Sequence, residues 1–138
     1  ILDEIVTIAH IGDSRAYHFE GAITPRVLTT DHSLVKRLED LGQIRPDEAA
    51  IHPQRNVLYR ALGQVEQVDA DILSTALPSS GHLVVCSDGL WGVVPDQEIS
   101  RIISSTADPQ KASQLLLAAA NAAGGPDNIS VIIIQIPG

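Results

Sequence analysis

The chain has 138 residues, of which 44% are hydrophobic and 19% charged, and this composition excludes a fibrous or disordered protein. It carries nine Lys and Arg residues against 17 Asp and Glu residues, for a formal net charge of −8, and only 3% of its residues are aromatic. A nucleic acid is therefore not expected as a partner. No apolar run approaches the ~20 residues of a membrane span, and the single cysteine, Cys86, favours a reducing, cytoplasmic location.

The first part of the chain predicts strands and then helices. Extended patterns that indicate successive antiparallel strands occupy residues 5–11, 15–19 and 26–30. Gly12 lies in the turn between the first two. From Ser33 the apolar spacing becomes helical and stops at Gly42, and Pro46 starts a second, short helix. The polar segment 49–63 is too long for a simple connection and is typical of a functional flap.

The second part alternates strands with amphipathic helices. Strands are predicted at residues 68–74, 82–86 and 129–136, and helices at residues 96–104 and 109–123. Asp108 is placed to cap the last helix, and Gly124 to end it. The closing strand is almost continuously apolar, so we expect both of its faces to be covered. Antiparallel strands with helices grouped outside them indicate an α+β fold.

The chain contains no methionine and opens at Ile1 inside an extended pattern, so we expect it to be part of a longer polypeptide. It shows no internal repeat and no linker, and we expect residues 1–138 to form one domain or part of one.

The edge of an N-terminal strand without a partner invites pairing with another copy of the chain. Self-association is therefore expected.

Two aspartates lie at the ends of predicted buried strands. Asp88 follows the apolar run 83–86, with Trp91 as a core anchor behind it, and Asp127 precedes the apolar run 129–136. A carboxylate in such a place is held by rigid backbone yet faces out of the sheet, which suits an oxygen-ligand site for magnesium or manganese. Taken singly, each aspartate fits an ordinary turn better. The two together indicate a metal site.

Other polar residues leave two interpretations open. Asp13 and Arg15 form either a turn with a local ion pair or part of a site. His32 directly precedes a predicted helix. Either His32 takes part in proton transfer, or this segment only caps the helix. Capping of the helix by Asp31 or Ser33 accounts for this segment more simply than proton transfer does.

Five short motifs follow one another along the chain. They are residues 11–17 (Ile-Gly-Asp-Ser-Arg-Ala-Tyr), 28–33 (Leu-Thr-Thr-Asp-His-Ser), 56–63 (from Asn to Arg-Ala-Leu-Gly), 86–90 (Cys-Ser-Asp-Gly-Leu) and 125–129 (Gly-Pro-Asp-Asn-Ile). In this order they resemble the motifs of the metal-dependent protein serine/threonine phosphatases of the 2C family, most closely its bacterial members. The resemblance covers essentially all 138 residues and corresponds to the C-terminal part of the family's catalytic domain.

The resemblance implies a four-layer α-β-β-α sandwich, in which two antiparallel sheets are flanked by helices and hold a binuclear manganese or magnesium centre at one end. Asp88 and Asp127 match two of its aspartate ligands, and Asp13 matches the aspartate that helps to hold a third metal in bacterial relatives. Asn128 and Gly89 are implied as supporting residues beside these ligands. In such a centre a metal-activated water attacks the phosphorus, so no covalent nucleophile is needed.

The polar segment 49–63 matches the family's flap near the substrate cleft. Its residues His52 and Arg55 either contact the phosphopeptide or form solvated surface. The partners that the resemblance implies are proteins phosphorylated on serine or threonine. A serine/threonine kinase would oppose the activity.

Two elements of the family pattern have no counterpart in this sequence. The early motifs are absent, among them an Arg that binds the substrate phosphate and an Asp-Gly-x-Gly-Gly turn whose aspartate bridges both metals. Gly92 stands where the family commonly has another aspartate for the third metal. Without the bridging carboxylate, two adjacent dications are poorly balanced, so we expect little or no turnover from the isolated chain.

The sequence therefore predicts the C-terminal portion of a protein serine/threonine phosphatase. The alternative is a non-catalytic 2C-like pseudophosphatase module that binds or regulates a partner. An Asp-Gly-x-Gly-Gly turn upstream of Ile1 would favour the enzyme. A small calcium-binding or structural domain would explain the acidic charge but not five ordered motifs.

Overall fold

The computed structural model describes residues 1–21, 24–64 and 67–138. Within these ranges the strands are β1 (Ile5–His10), β2 (Arg15–Phe19), β3 (Arg26–Val27), β4 (Asp71–Ala76), β5 (Gly81–Cys86) and β6 (Val131–Ile136). The helices are α1 (Leu34–Asp40), α2 (Pro46–Ile51), α3 (Asp88–Trp91), α4 (Asp96–Ser105) and α5 (Pro109–Ala122). Two antiparallel sheets combined with helices confirm the expected α+β class. No helix in the described ranges is long and apolar enough to cross a membrane.

The chain divides into two compact units. Unit 1 comprises Ile1–Asp13 and Thr30–Thr75, and unit 2 comprises Ser14–Thr29 and Ala76–Gly138. The strands of unit 1 form a two-stranded sheet in which β1 pairs with β4. The sheet of unit 2 has four strands in the order β3-β2-β5-β6, and its neighbours are antiparallel.

β1 and β2 belong to different sheets, so the expectation that they are successive antiparallel strands of one sheet is wrong. Both edges of β2 are occupied, one by β3 and the other by β5. β1 pairs with β4 instead, and the hydroxyl groups of Thr7 and Ser74 lie 3.0 Å apart. Between β1 and β2, Gly12 has a φ of 98°, a left-handed conformation that favours glycine.

The sheet of unit 2 is built around β5. Val84 of β5 lies opposite Tyr17 of β2 on one side and opposite Ile133 of β6 on the other. The side chains on the face of the sheet that carries Tyr17 and Val84 form one buried cluster with residues of the helices. The cluster comprises Tyr17, Phe19, Val84, Cys86, Leu90, Val94, Ile99, Ile102, Ile103, Leu116 and Ala120. α5 contacts β6, and its side chains Leu116 and Ala120 belong to this cluster.

The ends of α5 follow from local sequence signals. The Asp108 carboxylate accepts a hydrogen bond from the backbone nitrogen of Gln110 at 3.0 Å, which satisfies one of the free N–H groups of the first turn. Pro109 takes the first helical position, where it needs no N–H partner. After the helix, Gly124 and Gly125 have φ values of 113° and 50°, and the chain reverses towards β6.

One face of β6 is only partly covered by the described residues, because Ile136 at its end is buried. Val131 and Ile133 pack against the buried cluster, whereas Ile132 and Ile134 are 61% and 39% exposed. Within the described part of the chain, the expectation of cover on both faces is therefore wrong at Ile132 and Ile134 and holds at Ile136. The helices of unit 2 contribute to the cluster on the face of Val131 and Ile133, and successive residues of a strand point to opposite faces.

Unit 1 has a mostly polar interior. The buried side chains among its described residues are Val6, His10, Asp31, His32 and Ser33. Only Val6 is apolar. The hydroxyl of Ser33 accepts a hydrogen bond from the backbone nitrogen of Lys36 at 3.3 Å, so the capping interpretation of this segment is confirmed. The structure describes every residue of α1, and none of them is buried.

Leu116→Ala should destabilise the chain strongly. The Leu116 side chain is fully buried, so its truncation should lower the free energy of unfolding by about 2–5 kcal/mol through lost burial and an internal cavity. The neighbouring Leu115 of α5 is 42% exposed and serves as the control, and Leu115→Ala should cost less than about 1 kcal/mol. Urea unfolding followed by circular dichroism measures both values. Equal losses for the two variants would contradict the packing of α5.

Candidate metal centre

Asp88 lies where β5 passes into a short helix. Ser87 is the N-cap, and Asp88 is the first residue of α3 rather than part of an open turn. The side chain is half-buried, and the next two residues, Gly89 and Leu90, are buried. The carboxylate is thus held between a central strand and a helix that is anchored in the core through Leu90.

Asp127 lies in the exposed turn that leads from α5 into β6. Its Oδ1 accepts a hydrogen bond from the backbone nitrogen of Asn128 at 2.7 Å. This bond comes from the backbone of Asn128, and a supporting role for the residue stays a prediction. The bond restricts the direction of the Asp127 carboxylate.

Ser87 ties the two aspartate turns together. Its backbone nitrogen donates to the carbonyl oxygen of Ser130 at 3.1 Å. Its hydroxyl donates to the carbonyl oxygen of Asn128 at 3.2 Å and accepts from the backbone nitrogen of Ser130 at 3.0 Å. These bonds extend the pairing of Cys86 with Val131 beyond the ends of β5 and β6. Asp88 and Asp127 are therefore brought to the same end of the same strand pair.

Gly89 allows the two turns to approach closely. A Cβ atom at this position would lie 2.2 Å from the carbonyl oxygen of Asn128, well inside van der Waals contact. A side chain there would push the turns apart. Gly89 thus leaves the space that the two aspartate turns need, while its supporting role at a metal site stays a prediction.

Gly92 is constrained by the same helix. A Cβ atom there would lie 2.7 Å from the carbonyl oxygen of Asp88, so a larger residue requires the backbone of α3 to shift. The absence of an aspartate at this position therefore agrees with the local backbone.

Arg15 and Trp91 form a contact that the sequence did not reveal. The Arg15 guanidinium lies 3.5 Å from the centroid of the Trp91 ring, a cation–π arrangement, and its Nη1 donates to the hydroxyl of Tyr17 at 3.3 Å. Arg15 is opposite Cys86 in the sheet, which places it at the end of β5 where Asp88 follows. Trp91 also packs against the buried cluster, as expected of an anchor.

Asp13 belongs to unit 1, whereas Asp88 and Asp127 belong to unit 2. Asp13 is half-buried and follows Gly12, whose backbone is hydrogen-bonded to His32. The position of the Asp13 turn is thus set by contacts within unit 1.

His52 and Arg55 lie in the predicted flap, of which α2 takes up the beginning. His52 is half-buried and Arg55 is exposed, and Nδ1 of His52 accepts from the backbone nitrogen of Gln54 at 3.1 Å. The later part of the segment is anchored to the start of α1. The backbone nitrogen of Leu34 donates to the carbonyl oxygen of Val57 at 2.8 Å.

Cys86 is not suited to act as a nucleophile. Its side chain is buried in the cluster of unit 2, and burial raises the pKa of the thiol to about 12. The neutral thiol predominates near pH 7, whereas the thiolate is the reactive form. Among the polar groups at this end of the sheet, the carboxylates of Asp88 and Asp127 are the candidates for chemistry.

The donor set suits hard cations. Carboxylate oxygens held at strand ends are the ligands that magnesium and manganese prefer, and Asp88 and Asp127 fit part of such a site. Two carboxylates provide too little negative charge for two adjacent dications, so Asp88 and Asp127 alone would not complete a site for a pair of metals.

The chain is similar to known proteins along almost its whole length. The family model described as "Protein phosphatase 2C" matches residues 1–129. The serine/threonine phosphatase stp of Listeria monocytogenes is 38% identical over 130 residues, which cover 94% of this chain and 51% of the relative. The chain thus spans about half the length of the curated relatives it matches.

Solved structures agree with the sequence similarity. A crystal structure of the serine/threonine phosphatase Stp1 from Staphylococcus aureus matches with a TM-score of 0.93 and 34% identity, over 100% of this chain and 54% of that one. The catalytic domain of the protein phosphatase PstP, crystallised in complex with 2 manganese ions, matches with a TM-score of 0.85 and 27% identity, over 98% of this chain and 55% of that one.

Gly89→Ala should separate the two aspartate turns. The added methyl group would collide with the Asn128 carbonyl, so the free energy of unfolding should fall by about 1–3 kcal/mol. Gly138→Ala is the matched control, because its Cβ would lie 3.5 Å from the Cβ of Ser80, an ordinary contact. Urea unfolding of both variants gives the comparison. An unchanged stability of Gly89→Ala would show that the turns are not packed against each other.

Proposed function

Because the chain belongs to the protein phosphatase 2C family, we propose that the whole protein is a metal-dependent protein serine/threonine phosphatase. We assign residues 1–138 to the later part of one catalytic domain, since the family model matches residues 1–129 and the relatives are about twice as long. The proposal depends above all on the interlocked turns that bring Asp88 and Asp127 to one end of β5 and β6.

Each residue of the centre has a distinct task in this proposal. Asp88 and Asp127 bind manganese or magnesium through their carboxylate oxygens. Asn128 orients Asp127 through its backbone N–H, and Ser87 and Gly89 fix the distance between the two turns. When bound, the ions supply a water of lowered pKa and offset the charge on the phosphoryl oxygens.

Three further residues of unit 1, Asp13, His52 and Arg55, have their own tasks in this proposal. Asp13 would contribute to an additional metal, which its half-buried place in a tightly held turn supports. Arg55 and His52 would contact the phosphopeptide, since a guanidinium on an exposed loop pairs readily with phosphate. The substrates would be proteins phosphorylated by a serine/threonine kinase. We also propose a cytoplasmic location, with which a single, free and buried cysteine, Cys86, agrees.

The whole protein should lose metal-dependent phosphatase activity when Asp88→Asn and Asp127→Asn are combined. Neutral amides bind dications poorly, so turnover of p-nitrophenyl phosphate and of phosphopeptides with manganese should fall about 100-fold or more. Asp108→Asn is the matched control, because asparagine also caps a helix and this residue lies outside the site.

Two results would contradict the proposal in different ways. Undiminished activity of the double variant would refute the metal role of the two aspartates. A wild-type protein that binds manganese but turns over no phosphoester would refute the phosphatase activity. Residues 1–138 alone should show little or no turnover, because their carboxylates do not balance two dications.

We also propose that the 138-residue chain associates with itself through the sheet of unit 1. Among the described residues, β1 and β4 each pair on one side only, and their side chains Ile5 and Ile72 are 48% and 66% exposed. An unpaired edge with exposed apolar residues is a template for pairing with another chain.

Size-exclusion chromatography with light scattering should detect dimers or larger species of the 138-residue chain. Ile72→Lys places a charge on β4 and should shift the distribution towards the monomer. Ile51→Lys is the control, since Ile51 is comparably exposed but lies on α2. A strictly monomeric wild-type chain, or equal effects of both substitutions, would rule out this edge as the contact.

A further inference from the structure

A run of hydrogen bonds in unit 1 ends at the residue before Asp13. Nη1 of Arg60 donates to Oδ1 of Asp71 at 2.7 Å, and Oδ2 of Asp71 lies 2.8 Å from Nε2 of His32. Nδ1 of His32 lies 3.1 Å from the backbone nitrogen of Gly12. The exposed guanidinium–carboxylate pair is thus connected through a buried imidazole to the turn that carries a candidate metal residue.

The partners of His32 determine which ring nitrogen carries the proton. The backbone N–H of Gly12 can only donate, so Nδ1 accepts, and the proton of the neutral ring is on Nε2. Nε2 therefore donates to Asp71 rather than accepting from Arg60, whose Nη1 is farther away at 3.4 Å. The hydrogen bonds from His32 and Arg60 hold the pKa of Asp71 below its ordinary value, which keeps the acceptor ionised.

His32 holds Gly12 at a second point. The backbone nitrogen of His32 donates to the carbonyl oxygen of Gly12 at 2.8 Å. Both polar backbone groups of Gly12 are therefore bonded to one residue. Gly12 is buried and has a positive φ, so its conformation sets the direction in which the chain continues into Asp13.

The imidazole of His32 is also fixed by packing. It is 1% exposed, and the rings of His10 and Tyr59 lie at centroid distances of 4.9 Å and 5.7 Å from it. Rotation of the imidazole would have to displace these rings. The acceptor that His32 presents to Gly12 is consequently preorganised.

The same region also suggests a metal site. One donor atom each of His10, His32 and Asp71 lie within 4.8 Å of one another. A cation bound to Nε2 of His32 would require the ring proton to be on Nδ1. Two hydrogen-bond donors, Nδ1–H of His32 and N–H of Gly12, would then face each other, with their nitrogens 3.1 Å apart. The hydrogen bonds therefore favour His32 as an orienting group over His32 as a ligand.

The hydrogen-bond network is connected to the later part of the flap, around Tyr59 and Arg60. Arg60 follows directly after Tyr59, whose backbone nitrogen donates to the carbonyl oxygen of His32 at 3.0 Å. The segment that carries His52 and Arg55 thus has its base attached to His32 by the backbone and, through Arg60 and Asp71, by side chains.

We propose that Arg60, Asp71 and His32 are positioning residues that couple the flap to the Asp13 turn. Asp71 fixes the ring proton of His32, His32 holds Gly12, and Arg60 links this arrangement to the base of the flap. The consequence for catalysis rests on the proposed phosphatase function, whereas the hydrogen-bond arrangement can be tested in the 138-residue chain without any activity.

Nitrogen-15 NMR of the 138-residue chain tests the arrangement directly. The His32 ring should be protonated on Nε2 and bare on Nδ1. Asp71→Leu removes the acceptor and should raise the population of the Nδ1–H form and speed hydrogen exchange of the Gly12 amide. The His18 ring, which contacts the carbonyl oxygen of Ser80, serves as the internal control and should not change. A wild-type ring protonated on Nδ1, or His32 signals that shift on addition of Zn²⁺, would overturn the proposal.

Two substitutions in the whole protein test the consequence for catalysis. Asparagine can place Oδ1 where Nδ1 of histidine accepts from Gly12, whereas leucine cannot. His32→Leu should lower kcat/KM with manganese about tenfold or more, and His32→Asn should keep it within about threefold of the wild type. His18→Leu should leave it unchanged. Equal losses in His32→Leu and His32→Asn would overturn the positioning role, and an inactive wild type would refute the phosphatase function while the NMR result still decides the arrangement.

Discussion

The antiparallel pairing of β5 with β6 is the constraint on which the candidate metal centre depends. Cys86 lies opposite Val131, so the end of one strand and the beginning of the other meet at the same place. Ser87 continues this pairing by its backbone and its hydroxyl. A shift of register by one residue would turn every side chain of β6 to the other face, and would remove both the core contacts of Ile133 and the spacing of the aspartate turns.

Local signals in the sequence were sufficient for most of the elements. Asp108 and Ser33 were recognisable as caps because a capping bond joins residues two or three positions apart. Asp88 and Asp127 were recognisable as strand-end carboxylates from the apolar runs beside them. The pairing of β1 could not be recognised in this way. Whether β1 joins β2 depends on β5, which follows some sixty residues later and occupies one edge of β2. The stacking of Arg15 on Trp91 was missed for the same reason.

The two units differ in what holds their interiors together. Unit 2 buries a continuous apolar cluster between its sheet and its helices, which is the usual source of stability in a small domain. Unit 1 buries histidines, an aspartate and a serine, and such groups require specific partners. A polar interior of this kind contributes little net stability but fixes geometry closely, because every bond has a preferred direction. In unit 1 this applies to His32, which is hydrogen-bonded to Gly12 and Asp71, whereas the ring nitrogens of His10 are buried without a hydrogen-bond partner among the described residues.

The backbone next to Gly92 has little room for a side chain. An aspartate introduced there would bring its Cβ to 2.7 Å from the carbonyl oxygen of Asp88, so the backbone of α3 would have to adjust. The substitution would disturb the residue that already serves as a ligand candidate before it could add a second one. The orientation of Asp88 is thus linked to the residue at position 92. A carboxylate added there would change the setting of Asp88 as well as the local charge.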